Sequence, residues 1–258
     1  MKISLCMPIF GASRTKVFCD AVYSILLQGY DDFELVVQDG NVEAPLERVG
    51  IVGKVLDLLQ DRFSYSVGSD RGIFDGLNKS LKRATGEILY FMCSDDLLCP
   101  GALIAVNEAF ERERFGGPYW LYGKTISADV SGKTLGIDGE ITTYEKLLER
   151  NRIGQPATFW NRKMMDLAGM FDPRYKHSAD YELWLRFWER REPEFLDQTL
   201  GVFRHHDDQH SNVNATKIDI EAKKISQRHR SFRDMIMKTR NLALARRTYR
   251  EGIPETAN

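Results

Sequence analysis

Apolar residues run in short, unbroken blocks through the first half of the chain, separated by segments of helical periodicity. Lys2 to Met7 ends at Pro8, Phe33 to Gln38 ends at Asp39-Gly40-Asn41, Phe63 to Val67 is shorter, and Glu87 to Cys93 runs into Ser94-Asp95-Asp96. Glu87 to Cys93 lacks clean two-residue alternation and predicts a strand buried on both faces of a sheet, and the other three segments also read as strands. Between them, Thr15 to Leu27 places Val17, Ala21, Ser24, Ile25 and Leu27 near one helical face. Leu46 to Leu59 reads as a second helix, and Ile73, Leu77, Leu81 and Ala84 mark a third. Pro100-Gly101 closes the last block before a fourth helical pattern. Met1 to Glu113 thus alternates strand and helix four times, which predicts a parallel α/β sheet.

The second half is patterned differently. Tyr119 to Val130 and Lys133 to Ile137 predict a hairpin around Ser131-Gly132. Thr143 to Arg150 predicts a short helix, Gln155 to Trp160 an extended segment, and Arg162 to Ala168 another helix. Tyr181, Trp184, Leu185 and Trp188 form an apolar helical face with Asp180 at its N-cap or first turn. Leu200 to Phe203 predicts a strand, followed by the polar run from Arg204 to Ser211, and the chain from Lys217 reads as basic helix.

At 258 residues, 43% hydrophobic and 28% charged, the chain has the composition of a soluble globular protein. No apolar run approaches the roughly 18 residues that span a bilayer. The opening MKISLCMPIF is too short for a signal peptide and reads as the first strand. Cys6, Cys19, Cys93 and Cys99 lack metal-site spacing and sit mostly in apolar surroundings, as free thiols in a reducing cytosol do. The net charge of −1 conceals an asymmetry. Lys217 to Arg250 carries eleven Lys/Arg against three Asp/Glu, a balance of +8 that leaves about −9 on the remainder. An acidic body without a recognition motif argues against nucleic acid as a partner.

Candidate chemistry lies where the strands end, because open α/β sheets bind ligands at the carboxyl ends of their strands. Asp95 and Asp96 are placed there to hold a hard divalent cation, and a solvated turn is the plain alternative. Asp39 can accept hydrogen bonds from a ribose hydroxyl or a base N–H, or serve as a turn residue before Gly40. Asp70, Arg71 and Asp75 fall at a loop and first helical turn. Arg71 can pair with a phosphate or with Asp75, and both acids also suit the helix dipole. Asn78 and Lys79, one turn on, are expected to face solvent. The run RHHDDQHS, with His205, His206 and His210 beside Asp207 and Asp208, matches no zinc motif and is read as a metal site or a solvated loop.

Taken together, these segments resemble family 2 glycosyltransferases of the GT-A fold, of the bacterial polysaccharide-biosynthesis type, over Ile3 to Ser211. SLCMPIF resembles the family's first strand ending in Pro. AVYSILLQGYDDFELVVQDGN resembles its "SIxxQ" helix, at Ser24, Ile25 and Gln28, and the strand ending in a base-binding Asp, at Asp39. SDRGIFDGLNKSLKRATGEILYFMCSDD is similar to "DxGIYDAxNKGIxxATGxxIxFLxSDD". HSADYELWLRF is similar to the acceptor-side motif that carries the catalytic base.

The resemblance implies a Rossmann-like, mainly parallel central sheet flanked by helices with a helical C-terminal tail. It implies a glycosyltransferase domain over residues 1–212, divided into a nucleotide-sugar half (1–113) and an acceptor half (114–212), with a basic extension over 213–258. Position by position, it puts Asp39 against uracil, guanine or ribose. It puts Pro8, Phe10, Asp70, Arg71, Asp75, Ser94 and Asp95 around the donor. Asp95, Asp96 and His206 would hold a Mn²⁺ or Mg²⁺ that bridges the diphosphate, and Asp180 would be the general base. Phe10-Gly11 stands where the family often has Asn, and Cys93 where the first Asp of its DXD motif stands. Which of Asp95 and Asp96 is the main ligand therefore stays open.

The activity implied is inverting transfer of a hexose from a UDP-, GDP- or dTDP-linked donor to a hydroxyl of a glycan, with lipid-linked acceptors common in the family. The location implied is cytoplasmic, at the inner face of the membrane. A non-catalytic nucleotide-binding module or partner subunit is the competing reading, supported by Cys93 and the missing Asn. A nucleotidyltransferase would carry a Gly-rich basic loop, which GASRTK matches poorly. For the tail, with Ile218, Ile225, Phe232, Ile236, Leu242 and Leu244 as its apolar component, three destinations compete. These are the acidic body, a second copy of the chain, and an anionic membrane surface, and lipid-linked acceptors favour the last.

Overall fold

Four strands in the first half, β1 (Ile3–Ile9), β2 (Phe33–Asp39), β3 (Phe63–Val67) and β4 (Ile88–Phe91), pair in parallel in the order β3-β2-β1-β4. The computed structural model of the chain describes residues 1–11, 14–113, 116–206 and 209–251, with side chains through residue 235 except that of residue 210. The sheet continues β8-β6-β9-β5, with β7 (Thr134–Asp138) beside β6 (Trp120–Asp129). The added strands are β8 (Thr158–Asn161), β9 (Glu194–His205) and β5 (Leu97–Leu98). The expected parallel pairing thus governs the first half. Beyond β4, among the described residues, only β6 and β9 run parallel, and β8, β7 and β5 pair antiparallel.

Alternation of side chains explains the unbroken apolar blocks. Leu5, Leu35 and Tyr90 enter one core with Phe18 and Ile25 of α1 (Thr15–Leu26), Val55 of α2 (Ile51–Leu59), and Leu103 of α4 (Ala102–Arg112). Cys6, Val36, Leu89 and Trp120 enter the core on the opposite face. There they meet Leu77 of α3 (Ile73–Arg83), Leu147 of α5 (Tyr144–Glu149), Met164 of α6 (Arg162–Ala168) and Trp184 of α7 (Ala179–Trp188). Both faces are covered over β1, β2 and β4, so residues pointing either way along these strands are buried. The chain then passes through α8 (His210–Val213) into α9 (Ala215–Glu251).

Several boundaries depart from expectation for local reasons. β1 runs through Pro8 to Ile9, because the β4 ladder has already ended at Cys6 and no N–H is required on that side. α1 buries Phe18, Ala21, Val22 and Ile25, while Leu27 lies past its end and is exposed. The expected helix over residues 46–59 is broken by Gly50, which adopts a left-handed conformation at φ 69° between a 3₁₀ turn and α2. Residues 155–157 form a 3₁₀ turn before β8 rather than extended chain. The strand at residues 200–203 is the end of the twelve-residue β9.

The "SIxxQ" residues are clamps. Gln28 is buried, donates to the carbonyls of Ser24 and Cys99, and accepts from Leu103 N at 3.2 Å, while Ser24 Oγ accepts from Leu98 N at 3.1 Å. α1 thereby fixes the segment that follows the Asp95-Asp96 pair. Asn78, expected in solvent, instead brackets the backbone of Phe171, donating to its carbonyl at 2.7 Å and accepting from its N–H at 3.2 Å. Lys79 keeps its solvent exposure as expected while donating to the carbonyl of Ser69 at 2.5 Å.

Candidate active site

The parallel strands end along one edge at Ile9, Asp39, Val67 and Phe91, and two clefts open above that edge. One, of 370 Å³, is lined by Pro8, Phe10, Arg14, Asp70, Ser94 and Asp95 among others. The second, of 450 Å³, includes Asp96, Gln155, His177, Asp180 and His205 in its lining. Ile73, Cys93 and Asp95 line both, so the clefts meet there.

Asp70 is seated by two glycines. A Cβ at Gly40 would lie 2.2 Å from Asp70 Oδ2, and one at Gly76 2.8 Å from the same oxygen, so only glycine leaves room for the carboxylate. Asp70 accepts from Gly72 N at 3.0 Å, and burial raises its pKa. Arg71 and Asp75 pair with each other at 3.3 Å, and Lys79 approaches Asp75 at 3.6 Å. Burial raises the Asp75 pKa, but the hydrogen bonds from Arg71 and the nearby Lys79 charge outweigh it and hold the carboxyl below its ordinary value. This ion pair flanks the first cleft and is outside its lining.

Asp39 is fully buried and engaged by its own chain. Its Oδ1 accepts from Gly11 N and Asn41 N, and its Oδ2 from Leu46 N and Tyr65 Oη, all between 2.8 and 3.0 Å. These four donors match the roughly four lone-pair positions of a carboxylate. The residue lies outside both cleft linings and ties together the loops that follow β1 and β2.

At the junction, the ligand atoms of Cys93, Asp95 and Asp96 lie within 4.8 Å of one another. Asp96 is 1% exposed, and neither carboxylate oxygen has a hydrogen-bond partner. Burial, with the Asp95 charge adding to it, pushes the Asp96 pKa well above the carboxylate range. Burial likewise raises the Cys93 thiol, and both carboxylates add to the effect. Orphaned buried oxygens beside a second carboxylate and a thiol are a donor set that a divalent cation satisfies, so these residues fit a metal. His206 takes a neighbouring place, its Nε2 lying 3.1 Å from Asp95 Oδ2. Arg204 braces the pair, donating to the Asp95 carbonyl and to Asp20 Oδ2 at 2.7 Å. His205 packs its ring edge-to-face on Phe203, while Asp207, Asp208 and the side chain of His210 lie outside the described residues.

Asp180 is in the first turn of α7, and Ser178 holds the N-cap position without a side-chain cap. One turn later Trp184 packs between Trp120 and Trp160, at ring distances of 5.9 and 5.5 Å, which fixes the helix on the sheet. Burial pushes the Asp180 pKa up to about 6, with the charge of Glu221 adding to it and backbone hydrogen bonds opposing it. A carboxylate poised near neutrality beside a cleft can accept a proton from a bound hydroxyl.

Residues 4–163 match the model of the family described as "Glycosyl transferase family 2". The chain belongs to this glycosyltransferase family. It is a nucleotide-sugar-dependent glycosyltransferase, and its α/β sheet with flanking helices has the GT-A-like form. It is similar to a PGL/p-HBAD biosynthesis glycosyltransferase of Mycobacterium bovis (strain BCG / Pasteur 1173P2), 27% identical over 183 residues, covering 71% of this chain and 68% of that protein. It is 26% identical over 184 residues to the UDP-Glc:alpha-D-GlcNAc-diphosphoundecaprenol beta-1,3-glucosyltransferase WfgD of Escherichia coli, with the same coverage of 71% and 68%. S. aureus TarS 1-349 in complex with UDP-GlcNAc shares the fold at TM-score 0.62 and 18% identity, over 81% of this chain and 60% of that chain.

Two residues of the site escape sequence reading. Arg14 lines the first cleft from the GASRTK segment, where two basic residues carry no periodic signal. Gln155 braces the junction, donating to the Phe91 carbonyl and accepting from Cys93 Sγ at 3.4 Å. Its position in QPATFW gives no hint of this.

Proposed function

We propose that this enzyme transfers a sugar from a UDP-linked donor to a hydroxyl of a lipid-linked glycan, inverting the anomeric centre, with Asp180 as general base. The observation that carries the reading is the junction of the two clefts at Cys93 and Asp95, with Asp180 on the wall of one and Arg14 and Asp70 on the wall of the other. The donor occupies the first cleft between Pro8, Phe10 and Ser94, and Arg14 faces its phosphates. Arg71 and Asp75 border the donor from their ion pair, and Asp39 holds the loops on which it rests. A Mn²⁺ or Mg²⁺ held by Asp95 and Asp96 with Cys93 would neutralise charge on the departing diphosphate. His206 orients Asp95 through its hydrogen bond.

The acceptor hydroxyl binds in the second cleft and gives its proton to Asp180 as it attacks the anomeric carbon. The transition state has oxocarbenium character, and a single displacement from the face opposite the diphosphate inverts the centre. UDP as carrier and a lipid diphosphate on the acceptor are supported by what the E. coli relative acts on and by the ligand held by TarS. Among the described residues no helix is long and apolar enough to cross a membrane. Exposed Lys217, Lys223, Lys224 and Arg230 on α9 instead favour peripheral attachment to an anionic surface.

The test is incubation of the full chain with a panel of UDP-, GDP- and dTDP-sugars, Mn²⁺ and a lipid-diphosphate-linked sugar. Product configuration is read by NMR. A UDP-sugar should give an inverted product. Retention at the anomeric carbon, or turnover confined to GDP- or dTDP-sugars, overturns the corresponding part of the reading.

A further inference from the structure

The backbone N–H groups of Lys176, His177 and Ser178 all donate to one carboxylate, that of Glu221, at 2.8, 2.7 and 2.7 Å. Glu221 belongs to α9, more than forty residues further along the chain. The three amides immediately precede α7, whose N-cap residue Ser178 supplies no side-chain cap. Successive amides turned toward one point form an anion-binding nest, and the N-terminus of a helix favours negative charge. A carboxylate from a remote helix fills the nest here.

We propose that Glu221 is a positioning residue for the transfer reaction, holding the turn that carries Asp180 at the rim of the acceptor cleft. The proposal rests on the reading of Asp180 as the base. Asp180 follows Ser178 by two residues, so any shift of the nest displaces its carboxylate. Glu221 is itself held firmly. Ile225, one turn on, is fully buried in the α7-side core, and Ser226 Oγ donates to the Leu148 carbonyl. Ser178 Oγ also donates to the Ile218 carbonyl at 3.4 Å.

The same segment reaches toward the donor. Lys176 Nζ donates to the Arg71 carbonyl at 2.9 Å, in the loop beside the first cleft. α9, the Asp180 turn and the donor-side loop are thus connected in series. The start of the C-terminal helix is part of the acceptor side of the active site, and Ile218 lines the acceptor cleft directly.

The experiment compares Glu221→Ala, Glu221→Gln and Asp180→Asn in the full chain, measuring kcat, KM for donor and acceptor, and thermal midpoint. Glu221→Ala should lower kcat about a hundredfold, the scale of an ångström's misplacement of a reacting group, with donor KM unchanged. Glu221→Gln keeps a carbonyl oxygen for His177 and Ser178 and should lower kcat by only about tenfold, since a single hydrogen bond is lost. Parental kcat in both Glu221 variants, or a fall in thermal midpoint alone, overturns the proposal. If Glu221→Ala does not fold, Glu221→Gln decides, because parental kcat together with parental acceptor KM in that variant overturns it. If Asp180→Asn keeps parental turnover, the base assignment fails. If Asp180→Asn is inactive and the Glu221 variants are parental, only the positioning role fails.

Discussion

His229 Nδ1 lies 2.7 Å from Glu189 Oε1, which fastens the C-terminal helix to the end of α7. Its Nε2 faces Glu182 Oε1 at 3.9 Å, and Arg186 closes on Glu182 from the other side at 2.7 Å. Burial lowers the His229 pKa, but its contacts with Glu182 and Glu189 outweigh this and leave it raised. A raised histidine contributes stability that is fully present below its unfolded value of 6.5 and is lost as pH rises through the folded value. Burial raises both glutamates, but hydrogen bonds led by His229 outweigh it and hold them low, so their contribution is lost on acidification instead. His229→Gln should therefore cost about 3 kcal/mol, the scale of leaving a buried charge without its partner. The loss should be largest near pH 6 and shrink in alkali. Denaturant melts across pH check this, and a pH-independent loss would refute the charge pairing.

Asp180 supplies a second prediction, in which activity and stability move in opposite directions. With its pKa near 6, transfer should rise through that pH as the carboxylate forms, and Asp180→Asn should remove turnover while UDP binding persists. A raised carboxyl contributes stability below its ordinary 3.8, and that contribution is lost as pH rises through about 6. Asp180→Asn should consequently melt above the parent at pH 7 and converge with it near pH 4. Lower melting at every pH would show that the side chain serves α7 as a structural first-turn acid.

The parts of this site that could be read from sequence are those carried by local chemistry. A strand block followed by two acids, or an Asp before Gly, announces a strand end wherever it occurs. Seating Asp70 needed Gly40 and Gly76, both visible in the sequence, but their common purpose appears only when two loops converge on one carboxylate. Glu221 and its amides are separated by more than forty residues, and no periodicity links them. Ile225 of the tail was legible as apolar and is buried on the body, so packing is the fate of this part of α9, while Phe232 remains exposed. The side chains of Ile236, Leu242 and Leu244 lie outside the described residues. Asp39 was legible as an acceptor, yet the four donors that satisfy it come from Gly11, Asn41, Leu46 and Tyr65, which only the tertiary fold assembles.

The Cys93, Asp95 and Asp96 cluster predicts a metal dependence with a sulfur signature. Mn²⁺ should raise the melting temperature of the parent, and Asp96→Asn should abolish the rise and cut transfer about a hundredfold. Binding also requires the deprotonated forms of Asp96 and Cys93, which burial disfavours, so metal affinity should fall with acidification. Co²⁺ loading should give a thiolate charge-transfer band that is absent from Cys93→Ser. Full activity in EDTA, together with an unshifted melt in Mn²⁺, would remove the metal from the reaction.

Arg14 and Asp39 separate proposed phosphate recognition in the donor cleft from support of the loops beside it. Arg14 lines the cleft at the N-cap of α1, where the proposed donor would present its phosphates. Arg14→Gln should weaken UDP binding between about tenfold and a hundredfold, the scale of a hydrogen bond to a charged group, and leave uridine binding unchanged. Asp39→Asn replaces an acceptor that serves four donors with an amide that can serve only part of them. It should lower the melting temperature and weaken UDP and uridine by the same factor, because the loops after β1 and β2 shift together. Calorimetric titration of both ligands into both variants reads the difference directly. Equal loss of UDP and uridine in Arg14→Gln would place that side chain away from the phosphates. A parental melt with selective loss of uridine in Asp39→Asn would give Asp39 a direct contact with the base.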